Sequence, residues 1–214
     1  MILNNRSRLG IFGGTFDPPH LGHLILAMEA YEQLHLDKVL WVLEPIPPHK
    51  IGKRISSVED RIEMVQAAID DDPMFELSRV DIDRPGPHYV IDTMHILHDY
   101  FPNFELIFLM GGDSLEDMPS WHDPQGFLMA CDYLGVMRRP GEKVDLKGLE
   151  KELPGLSRKV EFIEAPLLEI SSKNIRVLMA NNKPYRYYLS PDVYAIIQNK
   201  ALYTESDNER DENT

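Results

Sequence analysis

Six short apolar runs, rich in β-branched and aromatic residues and separated by stretches of helical period, constrain this chain more than any other feature. They are Leu9–Phe12, Lys38–Leu43, Phe75–Val80, Phe104–Leu109, Tyr133–Met137 and Val160–Ile163. Strands alternating with helices imply a parallel sheet closed by crossover connections. Between the first two runs, Leu24, Ala27, Met28, Tyr31 and Leu34 recur at three- and four-residue steps, the apolar stripe of a helix starting near Leu21. Further helices are predicted over Val58–Ile69, Val90–Asp99, Ser172–Ala180 and Pro191–Gln198. No internal repeat or inner linker interrupts the pattern. The prediction is one doubly wound α/β domain with a central, mainly parallel sheet, whose ligands bind at the carboxyl ends of the strands.

Composition narrows the function classes. With 43% hydrophobic and 27% charged residues the chain reads as an ordinary globular protein. No apolar run approaches the roughly 18 residues of a membrane span, and "MILNNRSRLG" lacks the layout of a signal peptide. The single cysteine, Cys131, excludes an intrachain disulfide and a cysteine-rich zinc site. The expectation is a cytoplasmic protein with no membrane partner. A net charge of −13 disfavours nucleic acid as a partner, so any anion must be bound locally. Residues 1–203 form the expected domain; residues 204–214, with five acidic residues, one basic residue and nothing apolar, read as an acidic disordered tail.

The stretch "GIFGGTFDPPHLGHL" (Gly10 to Leu24) falls where such a fold binds ligands, at a strand end. A strand ending at Phe12, a Gly13-Gly14 turn and a helix start near Leu21 would let main-chain N–H groups approach an anion, which suggests phosphate. The spacing is neither the dinucleotide G-x-G-x-x-G nor the P-loop G-x-x-x-x-G-K-[ST]. His20 and His23, three apart at a helix start, share one face, and Gly22 between them leaves room for a ligand. Two neutral imidazoles beside a helix N-terminus suit a phosphate whose charge grows in a transition state. The alternatives are a Gly/Pro turn with surface histidines, or two ligands of a metal.

"GGTFDPPHLGH" resembles the first signature of the H/T-x-G-H nucleotidyltransferase superfamily, and "ISSKNIR" (Ile170 to Arg176) resembles its second, I-S-S-T-x-I-R. Within it, "PIPPHK", "GPHYVIDTM", "GGDSLEDMPSW" and "RRPG" resemble the bacterial nicotinate-nucleotide adenylyltransferase family, from Gly10 to about Tyr203. The resemblance implies a Rossmann-like fold in which ATP, with Mg²⁺ carried on its phosphates, and nicotinate mononucleotide give deamido-NAD and pyrophosphate. It implies no protein-bound metal. The residues fit that chemistry: no covalent nucleophile is needed, because the acceptor's own phosphate can attack the α-phosphorus.

The resemblance implies roles by position. Gly13, Gly14 and Thr15 would offer main-chain donors to phosphates, Phe16 would shape the adjoining pocket, and His20, His23 and Arg176 would act on the ATP phosphates. Ile170, Ser171 and Ser172 would start a helix facing the β- and γ-phosphates, with one serine as its cap. Gly111 and Asp113 would lie near the adenosine sugar, and Arg139 would be a further phosphate contact. On the acceptor side stand Lys50, Tyr89, Ser114, Leu115 and Trp121, the tryptophan stacking on the pyridine ring. The alternatives are a core anchor for Trp121, an acid in a turn for Asp113 and a solvated side chain for Arg176. His88, His95 and His98 read as helix-flank residues.

Two positions depart from the family pattern: Lys173 stands where Thr is typical, and His88-Tyr89-Val90 replaces S-Y-T beside the pyridine site, removing two hydroxyls. Selectivity for acid over amide is thereby left open. The competing readings are an adenylyltransferase with nicotinamide mononucleotide or phosphopantetheine as acceptor, and a non-catalytic nucleotide sensor. The sensor's mark would be loss of a histidine or of Arg176, and all are present. A homo-oligomer is left open.

Overall fold

The computed structural model describes residues 6–46, 55–138, 144–166 and 168–203. Six strands form one sheet: β1 (Ser7–Gly14), β2 (Lys38–Leu43), β3 (Phe75–Ser78), β4 (Phe104–Gly111), β5 (Tyr133–Arg138) and β6 (Val160–Glu164). Their order is β3-β2-β1-β4-β5-β6, and every neighbouring pair is parallel. The helices are α1 (Leu21–Gln33), α2 (Val58–Ile69), α3 (Val90–Tyr100), α4 (Gly112–Asp117), α5 (Pro124–Ala130), α6 (Leu146–Glu152), α7 (Ser172–Ala180) and α8 (Pro191–Lys200). None of the described helices is long and apolar enough to cross a membrane.

The central strands are apolar at successive positions because both faces of the sheet are covered. Alternate residues serve opposite layers. Leu40, Val42, Leu106 and Phe108 join α3, α5 and α6 in one core, while Val39, Trp41, Ile107 and Leu109 pack with α1 and α2 in the other. A third cluster, built on Met64, Ile175, Met179, Val193 and Ile197, joins α7 and α8 to the outer side of α2. It brings α7, late in the chain, beside the loop that follows β1.

Several expectations are corrected in detail. Gly13 and Gly14 are not a turn; they are the last residues of β1, paired with Val42 and Leu43. The third strand stops at Ser78 rather than Val80, where its pairing to β2 runs out at Val42↔Ser78 and a turn closes with the Asp83 N–H on the Arg79 carbonyl. The short helices α4, α5 and α6 have six or seven residues, too few to show a helical period. Capping makes two of them: Asp123 and Asp145 accept the N–H groups of Gly126 and Gly148.

The loops at the carboxyl end of the sheet are gathered by a charge that no sequence pattern announced. Arg61, 1% exposed on α2, donates from Nε to the Ser56 carbonyl, from Nη1 to those of Thr15 and Glu44, and from Nη2 to that of Pro45. Burial lowers its pKa, opposed chiefly by the charge of Asp17. Replacing Arg61 by Met would strand carbonyls whose burial without partners costs about 1–3 kcal/mol each. Arg61→Met is therefore expected to lower unfolding free energy by at least about 3 kcal/mol in urea titration, and a loss under about 1 kcal/mol would show that these loops hold without it.

Candidate active site

β1 carries the site because it lies where the strand order reverses, the place at which an open α/β sheet leaves a crevice. Its pairing with β4 stops at Phe12↔Leu109, whereas pairing with β2 continues to Gly14↔Leu43. The tip of β1 therefore has a neighbour on one side and a cleft of about 850 Å³ on the other. Gly13, Gly14, Thr15, Tyr89, Gly111, Ser114 and Trp121 all line that cleft. After the tip the chain turns at Phe16, in the left-handed region at φ 49°. A Cβ on Gly14 would meet the Phe16 ring at 2.8 Å, so glycine there lets the ring fold back under the strand. Phe16 packs 4.9 Å from Trp41 and 5.1 Å from His23, centroid to centroid.

His20 caps α1 and forms a reciprocal box with His23. The Nδ1 of His20 accepts the His23 N–H at 3.3 Å, and the Nδ1 of His23 accepts the His20 N–H at 3.2 Å. Their rings stack with centroids 3.7 Å apart, so the two do share one face. A ring nitrogen that accepts carries no proton, so each neutral imidazole holds its proton on Nε2. Burial enforces neutrality: it lowers the pKa of His20 from 6.5 to about 4. His23 is held well below 6.5, first by burial and then by repulsion from His20. The pair thus presents two Nε2–H donors with no net charge. The room for a ligand expected at Gly22 is instead filled by the protein: a Cβ there would meet His20 Nδ1 at 3.0 Å and Ile170 at 3.5 Å, so the glycine allows close packing of α1 against the approach to α7.

The second signature docks on the same loop. Ser171 is the cap of α7, accepting the Asn174 N–H at 3.2 Å. Ser172 instead donates its hydroxyl to the Pro18 carbonyl at 2.8 Å. Arg176 reaches back one turn and donates from Nη1 to the Asp17 carbonyl at 2.6 Å. The arginine expected at an anion is thus anchored to the β1–α1 loop and partly buried.

Across the cleft, Trp121 unites both of its readings: it lines the cavity and packs on Phe108 and Phe127 at 6.4 and 5.4 Å. Leu115 is fully buried in the core, and its side chain does not line the cleft. Asp113 is exposed in the first turn of α4, accepting the Ser114 N–H at 2.9 Å. Lys50, Arg139 and the tail 204–214 lie outside the described residues.

Sequence reasoning missed a frame beneath Tyr89. Asp81, 6% exposed, accepts from Arg84 Nε at 2.9 Å and from the Thr93 hydroxyl at 2.8 Å. Arg84 then donates to the carbonyls of Pro87 and Tyr89 at 3.2 and 3.4 Å. His88, read as a helix-flank residue, lines the cleft, with Nε2 donating to the Arg84 carbonyl at 3.1 Å. His122, also missed, stacks on Tyr89 at 3.9 Å and lines the cleft; its adjacency to Trp121 was the only signal. Among the described residues no group of three His, Cys, Asp or Glu side chains could hold a metal ion.

Residues 11–184 match the cytidylyltransferase-like family. A probable nicotinate-nucleotide adenylyltransferase of Thermomicrobium roseum is 42% identical over 92% of this chain and 92% of that relative. The chain belongs to the nicotinate-nucleotide adenylyltransferase family. The nicotinate-nucleotide adenylyltransferase of Bacillus subtilis is 37% identical, over 92% of this chain and 98% of that one. The fold is shared with the Plasmodium falciparum nicotinic acid mononucleotide adenylyltransferase complexed with NaAD, at TM-score 0.75 and 19% identity over 92% of this chain and 97% of that chain. In this family member the two signatures form one unit, because Ser172 and Arg176 of the second bond the loop of the first.

The neutral histidines carry a pH signature. Their folded pKa values lie below the unfolded value of 6.5, so the unfolded chain binds protons first as pH falls. The resulting stability is complete above 6.5 and is lost as pH falls from there toward 4. His20→Asn, which keeps a capping acceptor, is expected to show a shallower acid limb than the native chain in urea titrations across that window; equal slopes would mean that His20 titrates normally.

Proposed function

We propose that this chain transfers the adenylyl group of MgATP to nicotinate mononucleotide, giving deamido-NAD and pyrophosphate. The observation that carries this reading is the His20–His23 box, which fixes two neutral imidazoles, each with its proton on Nε2, at the start of the helix that follows β1. The acceptor's pyridine ring lies in the cleft against Trp121 and Tyr89, and Ser114 and the main chain at Leu115 complete that side. The ATP phosphates lie on the opposite side of the tip, against His20, His23, the first turn of α7 from Ile170 to Ser172, and Arg176. Asp113 and Gly111 serve the adenosine sugar, and Lys50 and Arg139 add phosphate contacts. Gly13, Gly14 and Thr15 stand where the two substrates meet, with Phe16 holding the turn.

The reaction needs no covalent nucleophile from the protein. An oxygen of the acceptor phosphate forms a bond to the α-phosphorus, the bond from that phosphorus to the bridging oxygen breaks, and pyrophosphate leaves with its electron pair. Magnesium enters with ATP and shields the phosphates' charge. The chain's residues orient the two substrates and meet the growing charge. The imidazoles, each fixed by the box with its proton on Nε2, offer oriented N–H donors to that charge. The fixed charge and planar fork of Arg176 suit the outgoing pyrophosphate.

Incubation with ATP, Mg²⁺ and each candidate acceptor, followed by product analysis, tests the assignment. A carboxylate read by N–H donors is favoured over the amide, whose NH₂ leaves a buried donor unmet at about 1–3 kcal/mol. His88 gives its Nε2–H to the Arg84 carbonyl, so the frame beneath Tyr89 supports this wall without the two hydroxyls of the family pattern. The expected kcat/KM preference for nicotinate over nicotinamide mononucleotide is at least about tenfold, and parity would place the amide among the natural acceptors. His23→Ala is expected to lower kcat by roughly 10² with the fold retained. Near-native turnover in that folded variant would remove His23 from the chemistry.

A further inference from the structure

We propose that Tyr203 is a positioning residue for adenylyl transfer, holding Arg176 at the ATP phosphates through Asp17; this rests on the assignment of Arg176 to those phosphates. Tyr203 lies three residues beyond α8 and 186 positions from Asp17, yet its hydroxyl donates to Asp17 Oδ1 at 2.5 Å. Asp17 is 4% exposed, and its second oxygen accepts the Ser56 N–H at 3.3 Å. Its carbonyl is the acceptor for Arg176, at 2.6 Å. The next residue, Pro18, accepts the hydroxyl of Ser172. Side chain and main chain of one loop residue are therefore gripped from two directions: Tyr203 takes the carboxylate and Arg176 the carbonyl.

The chain makes an unfavourable turn to reach this arrangement. Ala201 and Tyr203 both adopt left-handed backbone, at φ 50° and 62°, without being glycine. Such conformations persist only where surrounding contacts over-determine them. Here the Ala201 and Leu202 N–H groups close α8 on Gln198 and Ile197, and the Tyr203 ring turns inward until its hydroxyl lies 4.0 Å from Met64 Sδ. Burial and the negative charge of Asp17 push the phenol pKa far up, so it remains a donor. A tyrosine needed only for packing could end against any acceptor; this one ends on the residue whose carbonyl orients Arg176. Without the hydroxyl, the buried carboxylate keeps the Ser56 N–H, and the loop is freer to carry the Asp17 carbonyl away from the guanidinium.

The test compares Tyr203→Phe, Asp17→Asn, Arg176→Met and the double variant Tyr203→Phe/Arg176→Met, each with a thermal melt and with separate KM values for ATP and nicotinate mononucleotide. Tyr203→Phe is expected to raise the KM for ATP about five- to tenfold and to leave that of the acceptor within about twofold. Asp17→Asn, with one good acceptor in place of two, shifts in the same direction and serves if the phenylalanine variant does not fold. In the Arg176→Met background the tyrosine change adds no further rise in the KM for ATP, because the two act in series. Equal rises for both substrates, an undiminished second rise in the double variant, or an unchanged KM for ATP in Tyr203→Phe would each overturn the inference while leaving Arg176 in place. An unaffected KM for ATP in Arg176→Met would instead overturn the assignment of Arg176, and the inference with it.

Discussion

Four main-chain carbonyls, from the loop after β1, the loop after β2 and the approach to α2, converge on the guanidinium of Arg61. Loops at the end of a parallel sheet have no strand partners of their own, and their carbonyls must be satisfied by something else if water is excluded. A fixed planar cation with five donors meets all four at once, whereas a lysine ammonium has three donors and an amide two. Its charge is balanced chiefly by Asp17, the residue that also bonds Tyr203 and Arg176. The geometry of the β1–α1 loop is thus set from three sides, by α2, by α7 and by the turn after α8. His20 and His23 follow directly from that loop at the start of α1.

This arrangement reconciles an acidic protein with polyanionic substrates. The net charge is −13, and a general field of that sign repels phosphates. The proposed site answers with local groups: main-chain donors, two neutral imidazoles oriented by the same reciprocal box that caps α1, and Arg176 held at a carbonyl. Short-range donors act over a few ångströms, a range at which the distant surface charge is screened. The burial that lowers the histidine pKa values keeps both imidazoles neutral, so each Nδ1 remains an acceptor within the box.

The fold was legible because both faces of the sheet are buried. That condition writes continuous apolar runs into β2, β4 and β5 and an amphipathic period into α2, while the third cluster does the same for α7; the bounds of both helices match the expectation residue for residue. The first signature was legible as well, since two histidines three apart at a helix start must share a face. The short helices were not, because six or seven residues carry no period. Nor was the Gly13-Gly14 strand end: glycine pairs suggest turns, and only the presence of β2 alongside shows that these two continue the ladder.

Sequence by itself determined the alternation of elements, the residues at the strand ends and the chemistry those residues carry. These depend on side-chain type and on spacings of a few positions, which local geometry translates directly into faces and caps. Tertiary structure alone decided the rest. It turned Arg61, an ordinary helix residue by its neighbours, into a buried clamp, made a frame of Asp81, Arg84 and Thr93 beneath Tyr89, and brought Tyr203 to Asp17 across 186 positions. The physical reason is that a buried charge or hydroxyl takes its meaning from partners supplied by other elements. No pattern along the chain records which carbonyl or carboxylate folding will set beside it.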